Sequence, residues 1–206
     1  SSLGRATLAE WHTDSLETLN IGRILGKRVV VIACSTGVPL VLRALAEKPE
    51  AIAACIFVSP NFGLAHRGTN LMLQLPWVRY WGPLIMGRTR EYEPRSEGHK
   101  KYWTTRYDVQ AIYTMMEAVS AAAKLDLATF LVPLATLFCP EDQVVSPEKI
   151  RMALQRWGGP REILEMDKGR DPSGHLLLGT VMNPEQTDVA TDFALDFCRR
   201  YLGNHL

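Results

Sequence analysis

Apolar residues follow two alternating patterns along the chain. Four short runs, rich in β-branched and aromatic residues and followed by turn residues, are typical of buried strands; they lie at 29–33, 53–59, 134–139 and 162–166. Longer segments with helical periodicity separate them. This alternation predicts an α/β fold, in which helices cover both faces of a mostly parallel sheet.

Helix-terminus signals flank the helical segments. Ser146 and Pro147 combine an N-cap with a proline at the first helical position, and Asn183 and Pro184 repeat that pattern before the last helix. Gly26 ends an earlier amphipathic segment. In the last helix one apolar face should pack on the sheet, through Val189, Phe193 and Phe197.

Residues 61–125 interrupt the alternation. They are rich in Trp, Tyr, Met and Arg and contain helical stretches but no convincing strand. Because an insertion of this length is too long for an ordinary loop, we expect a helical cap at 61–125 and an α/β core at 1–60 and 126–206. The apolar stretch 71–87 contains Arg79 and falls short of the ~20 residues that a membrane span needs, so it predicts a hydrophobic surface or lid.

The length, hydrophobic content and net charge of the chain limit the number of domains and the kinds of partner that it can have. A chain of 206 residues with 47% hydrophobic content can form one domain with a sizeable core. The net charge of +1 gives no sign of a nucleic-acid surface, so we expect a small or neutral partner. The four cysteines are scattered without the spacing of metal ligands, and we expect no metal and the reduced thiols of a cytoplasmic protein.

The first strand run leads directly into a hydroxyl and then a helix. Ser35 follows the strand, and ligands of parallel sheets bind at the carboxyl ends of strands. Small residues at Ala33 and Gly37 allow the helix to return close to the strand. The pattern predicts a tight turn that exposes the Ser35 hydroxyl and points the Thr36 N–H at the same space. The alternative is that Ser35 only caps the helix.

The sequence ACSTG at 33–37 resembles the G-x-S-x-G elbow of the α/β-hydrolase family, with Ala33 in place of the first glycine. FCPEDQVVSP resembles the turn that carries that family's triad acid, here Asp142, and DPSGHLLLG resembles its histidine loop, here His175. The order serine, acid, histidine is also that of the family. The resemblance extends over about 8–201 and is closest to bacterial esterases and lipases with an inserted cap.

The resemblance implies a chemistry. Ser35 would attack an acyl carbon, His175 would transfer the proton, Asp142 would orient the imidazole, and Thr36 N–H would be one oxyanion donor. No organic cofactor is implied. Glu141 or Asp171 remain alternatives for the acid. The residues expected to contact substrate are Leu71, Leu75, Trp81 and Trp103, and the alternative for the two tryptophans is the core of the cap.

These features favour a serine hydrolase that cleaves carboxylic esters with apolar acyl groups. The same fold without catalysis would be a binding protein, and the same triad also serves acyltransferases and hydrolases of amides or carbon–carbon bonds. The sequence leaves these alternatives open.

The position of the first strand gives one further expectation. In the family the elbow strand is central, whereas here only a helical segment precedes residue 29. An apolar strand at a sheet edge exposes unpaired backbone, which natural sheets avoid. We therefore expect an N-terminal segment, in the same protein or as a separate chain, to pair with this strand and to supply the second oxyanion donor.

Overall fold

The computed structural model describes residues 3–203. In chain order its elements are α1 (Leu8–Leu25), β1 (Val30–Cys34), α2 (Gly37–Glu47), β2 (Ala54–Val58), α3 (Arg67–Met72), α4 (Val78–Met86), β3 (Thr89–Glu91), α5 (Glu97–Tyr102), β4 (Arg106–Asp108), α6 (Gln110–Ala122), β5 (Leu134–Phe138), α7 (Pro147–Arg156), β6 (Arg161–Glu165) and α8 (Pro184–Leu202). Single 3₁₀ turns lie at Pro49–Ala51 and Leu127–Thr129.

The main sheet consists of the four predicted strands, each within a residue or two of its expected bounds. All its pairs are parallel and the order is β1-β2-β5-β6. Strand β2 lies between β1 and β5 and is buried throughout, whereas β1 is at an edge, where the Ile32 residue is 70% exposed. The predicted α/β class, with a mostly parallel sheet, is confirmed.

Helices cover both faces of this sheet. Cys55 and Phe57 belong to a cluster with residues of α2 and α7, and Ile56 and Val58 face α8. Because side chains alternate between the faces of a strand, a strand covered on both sides must be apolar at every position. The continuous apolar run of β2 therefore reflects its central place.

The last helix packs on the sheet as predicted, but through a narrower face. Phe197 is fully buried and Phe193 is half-buried, whereas Val189 is 58% exposed, so its expected burial is wrong. A spacing of four residues advances about 40° more than one full turn. Over two such steps the face rotates by about 80°, which moves Val189 away from the sheet.

Residues 61–125 contain helices α3 to α6 and also the antiparallel pair β3 and β4, in which Arg90 lies opposite Tyr107. The expectation of no strand here is wrong, because these strands are short and largely exposed and carry no apolar pattern. The segment has its own apolar cluster, which includes Val78, Tyr113 and Met116. Helix α6 also packs on α1 and α2. Whether the segment acts as a cap remains a prediction.

No helix within residues 3–203 is both long and apolar enough to cross a membrane.

Candidate active site

Ser35 lies at the carboxyl end of β1, on the turn into α2. Its φ of 48° falls in the left-handed region, which is unfavourable for a residue other than glycine. The Ser35 N–H donates to Val58 O at 2.9 Å, and its C=O accepts from the N–H groups of Val38 and Asn61, each at 3.1 Å. The strained turn is therefore fixed by the end of β2 and the start of α2, as expected for a nucleophile elbow.

His175 joins this serine to Asp142. The Nε2 atom of His175 lies 3.0 Å from Ser35 Oγ, and its Nδ1 atom lies 2.8 Å from Asp142 Oδ2. The Asp142 side chain is fully buried, and its Oδ1 accepts from the N–H groups of Val144 at 2.7 Å and Val145 at 3.0 Å. The structure thus brings the three predicted residues into one hydrogen-bonded chain, with the histidine in the middle.

The main chain of His175 is held at both of its polar groups. Its N–H donates to Asp171 Oδ2 at 3.0 Å, and its C=O accepts from Ser59 Oγ at 2.8 Å. The preceding Gly174 has a φ of 66°, and a Cβ there would lie 3.1 Å from Cys139 Sγ. Sequence reasoning missed Ser59; its only signal was its place just after β2, on the same edge as Ser35.

The two alternative acids do not contact the imidazole ring. Asp171 is fully buried and accepts from the N–H of Leu176 at 2.8 Å and from Ser173 Oγ at 2.5 Å, and it forms an ion pair with Arg95. Burial opposes its ionisation, but these hydrogen bonds outweigh burial and hold the pKa of Asp171 well below its usual range. Glu141 is mostly exposed and pairs with Lys168 at 2.8 Å.

Asn183 precedes α8 as predicted, but its side chain does not cap that helix. It is buried, accepts from the N–H of Arg170, and donates through Nδ2 to the carbonyl oxygens of Lys168 and Leu176. Asn183 therefore occupies the predicted N-cap position of α8, but the expected capping bond from its side chain is wrong. The side chain instead forms hydrogen bonds with main-chain groups of the histidine loop, which need partners where they are removed from water.

Thr36 lies at the N-terminus of α2, where N–H groups lack acceptors within the helix. An open cleft of about 330 Å³ lies beside it, between α1 and the first turn of α2, and Trp11 and Leu40 form part of its wall. The role of the Thr36 N–H as an oxyanion donor remains a prediction.

The alpha/beta hydrolase family model matches residues 2–187 of this sequence. The chain belongs to the α/β-hydrolase family. No curated protein sequence matches it.

Several solved structures share the fold of this hydrolase. One, reported with the metagenome-derived lipolytic enzymes LipS and LipT, is 17% identical, with a TM-score of 0.74 over 96% of this chain and 76% of the other. A monoacylglycerol lipase of Paleococcus ferrophilus is 16% identical, with a TM-score of 0.66 over 93% and 75%. Est1E of Butyrivibrio proteoclasticus, with bound ferulic acid, is 14% identical, with a TM-score of 0.56 over 97% and 71%.

The four predicted substrate contacts of the hydrolase are spread over residues 61–125. Leu71 and Leu75 are exposed, and Trp81 packs in the segment's apolar cluster, where its Nε1 donates to Pro76 O. Trp103 packs edge-on against the His99 ring. Leu75 lines a cavity of about 490 Å³ whose walls come from 73–80 and 113–120, without Ser35. A role of these four in substrate binding remains a prediction.

Of the four cysteines, Cys55, Cys139 and Cys198 are buried, whereas Cys34 is exposed on the edge strand β1. Cys34 does not pack in the interior, because no further strand among residues 3–203 covers this edge. Neighbouring atoms nevertheless partly desolvate the Cys34 thiol. This desolvation, together with the negative charge of Asp142, raises the pKa of the thiol. Within the described part of this hydrolase, no group of three or more His, Cys, Asp and Glu residues is placed to hold a metal ion.

Proposed function

We propose that this α/β-hydrolase cleaves carboxylic esters with apolar acyl groups through an acyl-enzyme formed on Ser35. One observation carries the proposal: the chain from Ser35 Oγ to His175 Nε2 at 3.0 Å, and from His175 Nδ1 to Asp142 Oδ2 at 2.8 Å. These contacts support the proposal because a weak nucleophile is activated by an imidazole beside its hydroxyl and a carboxylate beside the far ring nitrogen. The folds of lipases and esterases support the same choice.

The geometry supports a two-step reaction. Ser35 Oγ attacks the ester carbonyl carbon while its proton passes to His175 Nε2, and the Thr36 N–H donates to the resulting oxyanion. His175 then gives the proton to the leaving alkoxide, and the acyl group remains on Ser35. A water molecule attacks this ester, with His175 taking its proton and returning it to Ser35 Oγ as the acid leaves. Throughout the reaction the proton stays on His175 Nδ1, and the Asp142 carboxylate accepts a hydrogen bond from it.

The residues after β2 lie beside the acid loop. Ala65 N–H donates to Val144 O at 3.0 Å, and Ser146 N–H donates to Gly63 O at 2.9 Å. We propose that residues 61–125 form a cap that begins here and offers apolar side chains to the acyl group. Large exposed apolar residues support this role, since their exposure marks a binding surface; they include Leu71, Leu75, Trp77 and Leu84.

We also propose that a strand from outside residues 3–203 pairs with the free edge of β1 and brings the second oxyanion donor. Apolar grooves of about 440 and 400 Å³ flank β1, one against α1 and α2 and the other against α8. A strand added at this edge would pair with the exposed main-chain groups of β1 and bury the apolar grooves on both of its faces, whereas water would leave the apolar surface exposed. The strand belongs to the same protein or to a separate chain. A single, monomeric and fully active 23.1 kDa species, measured by intact mass and gel filtration, would contradict this proposal.

A fluorophosphonate probe and p-nitrophenyl esters of graded acyl length test the reaction itself. The native protein should be labelled and should prefer longer acyl chains, and Ser35→Ala should lose labelling and about 10³-fold or more of kcat/KM. Cys34→Ala is the matched control, because its thiol is the neighbouring exposed nucleophile, and this variant should still be labelled. Labelling of Ser35→Ala at the native rate would refute the proposal. Faster cleavage of matched anilides would favour an amidase, and ester binding without any labelling would favour a binding protein.

A further inference from the structure

A second buried carboxylate, Asp171, lies next to the Ser35–His175–Asp142 chain without being part of it. Its side chain has no exposed surface. It accepts four hydrogen bonds from its own loop: from the N–H groups of His175, Leu176 and Ser173, and from Ser173 Oγ. One of these bonds restrains the main chain of the histidine whose ring contacts Ser35.

The charge that balances Asp171 comes from another part of the chain. Arg95 lies between β3 and α5, within residues 61–125, and its guanidinium forms an ion pair with Asp171 Oδ1. Arg95 N–H also donates to His99 Nδ1 at 3.1 Å, which fixes the arginine to its own segment. The ion pair therefore connects the proposed cap directly to the histidine loop.

We propose that Asp171 and Arg95 are positioning residues for His175, so that docking of residues 61–125 on the histidine loop sets how often the imidazole reaches Ser35. This inference rests on the proposed serine hydrolase function. A buried carboxylate is costly unless charge and hydrogen bonds compensate it. When the ion pair with Arg95 is broken, the Asp171 carboxylate must either become hydrated or move together with its loop. Either change displaces the N–H of His175, which donates to this carboxylate.

The two anchors of His175 differ in what they depend on. Ser59 Oγ, which holds its C=O at 2.8 Å, follows the central strand β2. Asp171, which holds its N–H, depends on a residue from the 61–125 segment. Because displacement of a reacting group by about 1 Å can lower a rate by about 100-fold, loss of the second anchor should reduce turnover even while the first one holds.

The experiment compares Arg95→Gln, Arg95→Lys and Asp171→Asn with Arg67→Gln. Arg67 is the matched control, because its exposed pair with Glu148 also joins the 61–125 segment to the core, but at α7. The readouts are the fluorophosphonate labelling rate, kcat and KM on one p-nitrophenyl ester, thermal unfolding, and the NMR signals of the His175 ring.

We expect Arg95→Gln to lower kcat and labelling by about 10- to 100-fold with KM unchanged. Arg95→Lys should recover part of the loss, Arg67→Gln should resemble the native protein, and Arg95→Gln should have little further effect on Asp171→Asn. The His175 ring signals should broaden or shift in Arg95→Gln but not in Arg67→Gln. Native labelling in Arg95→Gln, a loss confined to KM, or a loss that only follows the unfolded fraction would each overturn the proposal.

Failure of the proposed function has a different signature. The native protein would then show no labelling that depends on Ser35. The NMR comparison would still decide the positioning role, since it reports the His175 ring without any reaction: unchanged ring signals in Arg95→Gln would overturn the inference, and altered signals would support it.

Discussion

Replacing Asp142 with asparagine tests whether the buried carboxylate sets the tautomer of His175. In the structure Asp142 Oδ1 accepts from two main-chain N–H groups, at Val144 and Val145, while Oδ2 faces His175 Nδ1. An amide has one acceptor oxygen and one NH₂ donor. If its oxygen serves the two main-chain groups, its NH₂ donates to Nδ1. The imidazole must then carry its proton on Nε2, where it cannot take the proton of Ser35.

The other orientation of the asparagine leaves the buried N–H of Val145 and the part-buried N–H of Val144 without an acceptor. An unsatisfied buried donor costs about 1–3 kcal/mol and a part-buried donor costs less, so the two together disfavour this orientation by about 2–4 kcal/mol. At 1.4 kcal/mol for each factor of ten, the competent tautomer falls by about 30-fold to about 10³-fold. The variant also loses the negative charge that stabilises the imidazolium, which lowers the rate further, and we expect a loss of about 10³- to 10⁴-fold in kcat/KM.

The assay is kcat/KM for a p-nitrophenyl ester, with circular dichroism melting to establish that the variant is folded. Glu141→Gln is the control: this neighbouring side chain is 72% exposed and pairs with Lys168, and removal of an exposed pair has little effect. It should keep kcat/KM within about a factor of two of the native value. An Asp142→Asn protein with a tenth of native kcat/KM, or an equal loss in Glu141→Gln, would refute the tautomer argument.

Three further predictions concern the surroundings of the site. Iodoacetamide should modify Cys34 before Cys55, and faster at higher pH, because Cys34 is exposed with a raised pKa whereas burial raises the pKa of Cys55 to about 12; peptide mass spectrometry identifies the order, and earlier modification of Cys55 would be contrary. Asp171→Asn should lower the free energy of unfolding at pH 7, but less so below about pH 4. A carboxyl group whose pKa is lowered by folding stabilises the protein above its unfolded-state pKa, and this contribution is lost as the pH falls toward its folded-state pKa. A loss of unfolding free energy that is the same at every pH, measured by urea unfolding, would contradict this. Gly174→Ala should destabilise by about 1–3 kcal/mol, given its φ of 66° and the proximity of a Cβ to Cys139 Sγ; unchanged urea unfolding would be the contrary result.

The strands, and the close approach of Ser35, Asp142 and His175, could be predicted from the sequence for a physical reason. A strand covered on both faces must be apolar at nearly every position, so 53–59 and 134–139 were visible as continuous runs. Ser35, Asp142 and His175 each lie in a short motif after a strand, and each motif is read within about ten residues. Local patterns therefore carried most of the information needed to place them.

The anchors of His175 could not be predicted in the same way. Ser59 lies 116 positions from His175, and Arg95 lies 76 positions from Asp171. A serine after a strand, or one arginine among many, looks the same in sequence whether or not it finds such a partner. The pair β3 and β4 was missed for the opposite reason: its short, largely exposed strands have no apolar alternation to recognise.

The strand order explains why the histidine loop needs so many fixed contacts. Ser35 follows β1 and His175 follows β6, and these strands are the two edges of the order β1-β2-β5-β6. Three strand spacings of about 4.8 Å separate them by about 14 Å, so the loop after β6 must cross the carboxyl ends of β5 and β2 to reach the serine. Three contacts hold the loop along that path. Asn183 Nδ2 donates to Lys168 O within the loop, and Gln143 N–H donates to Ser173 O at 2.8 Å beside β5. Ser59 Oγ, which follows β2, donates to the carbonyl oxygen of His175. A loop that travels this far has many alternative conformations, and each contact removes some of them. The position of His175 Nε2 is therefore set by the whole crossing, which is why a contact as distant from the reacting atoms as the Arg95 ion pair can alter it.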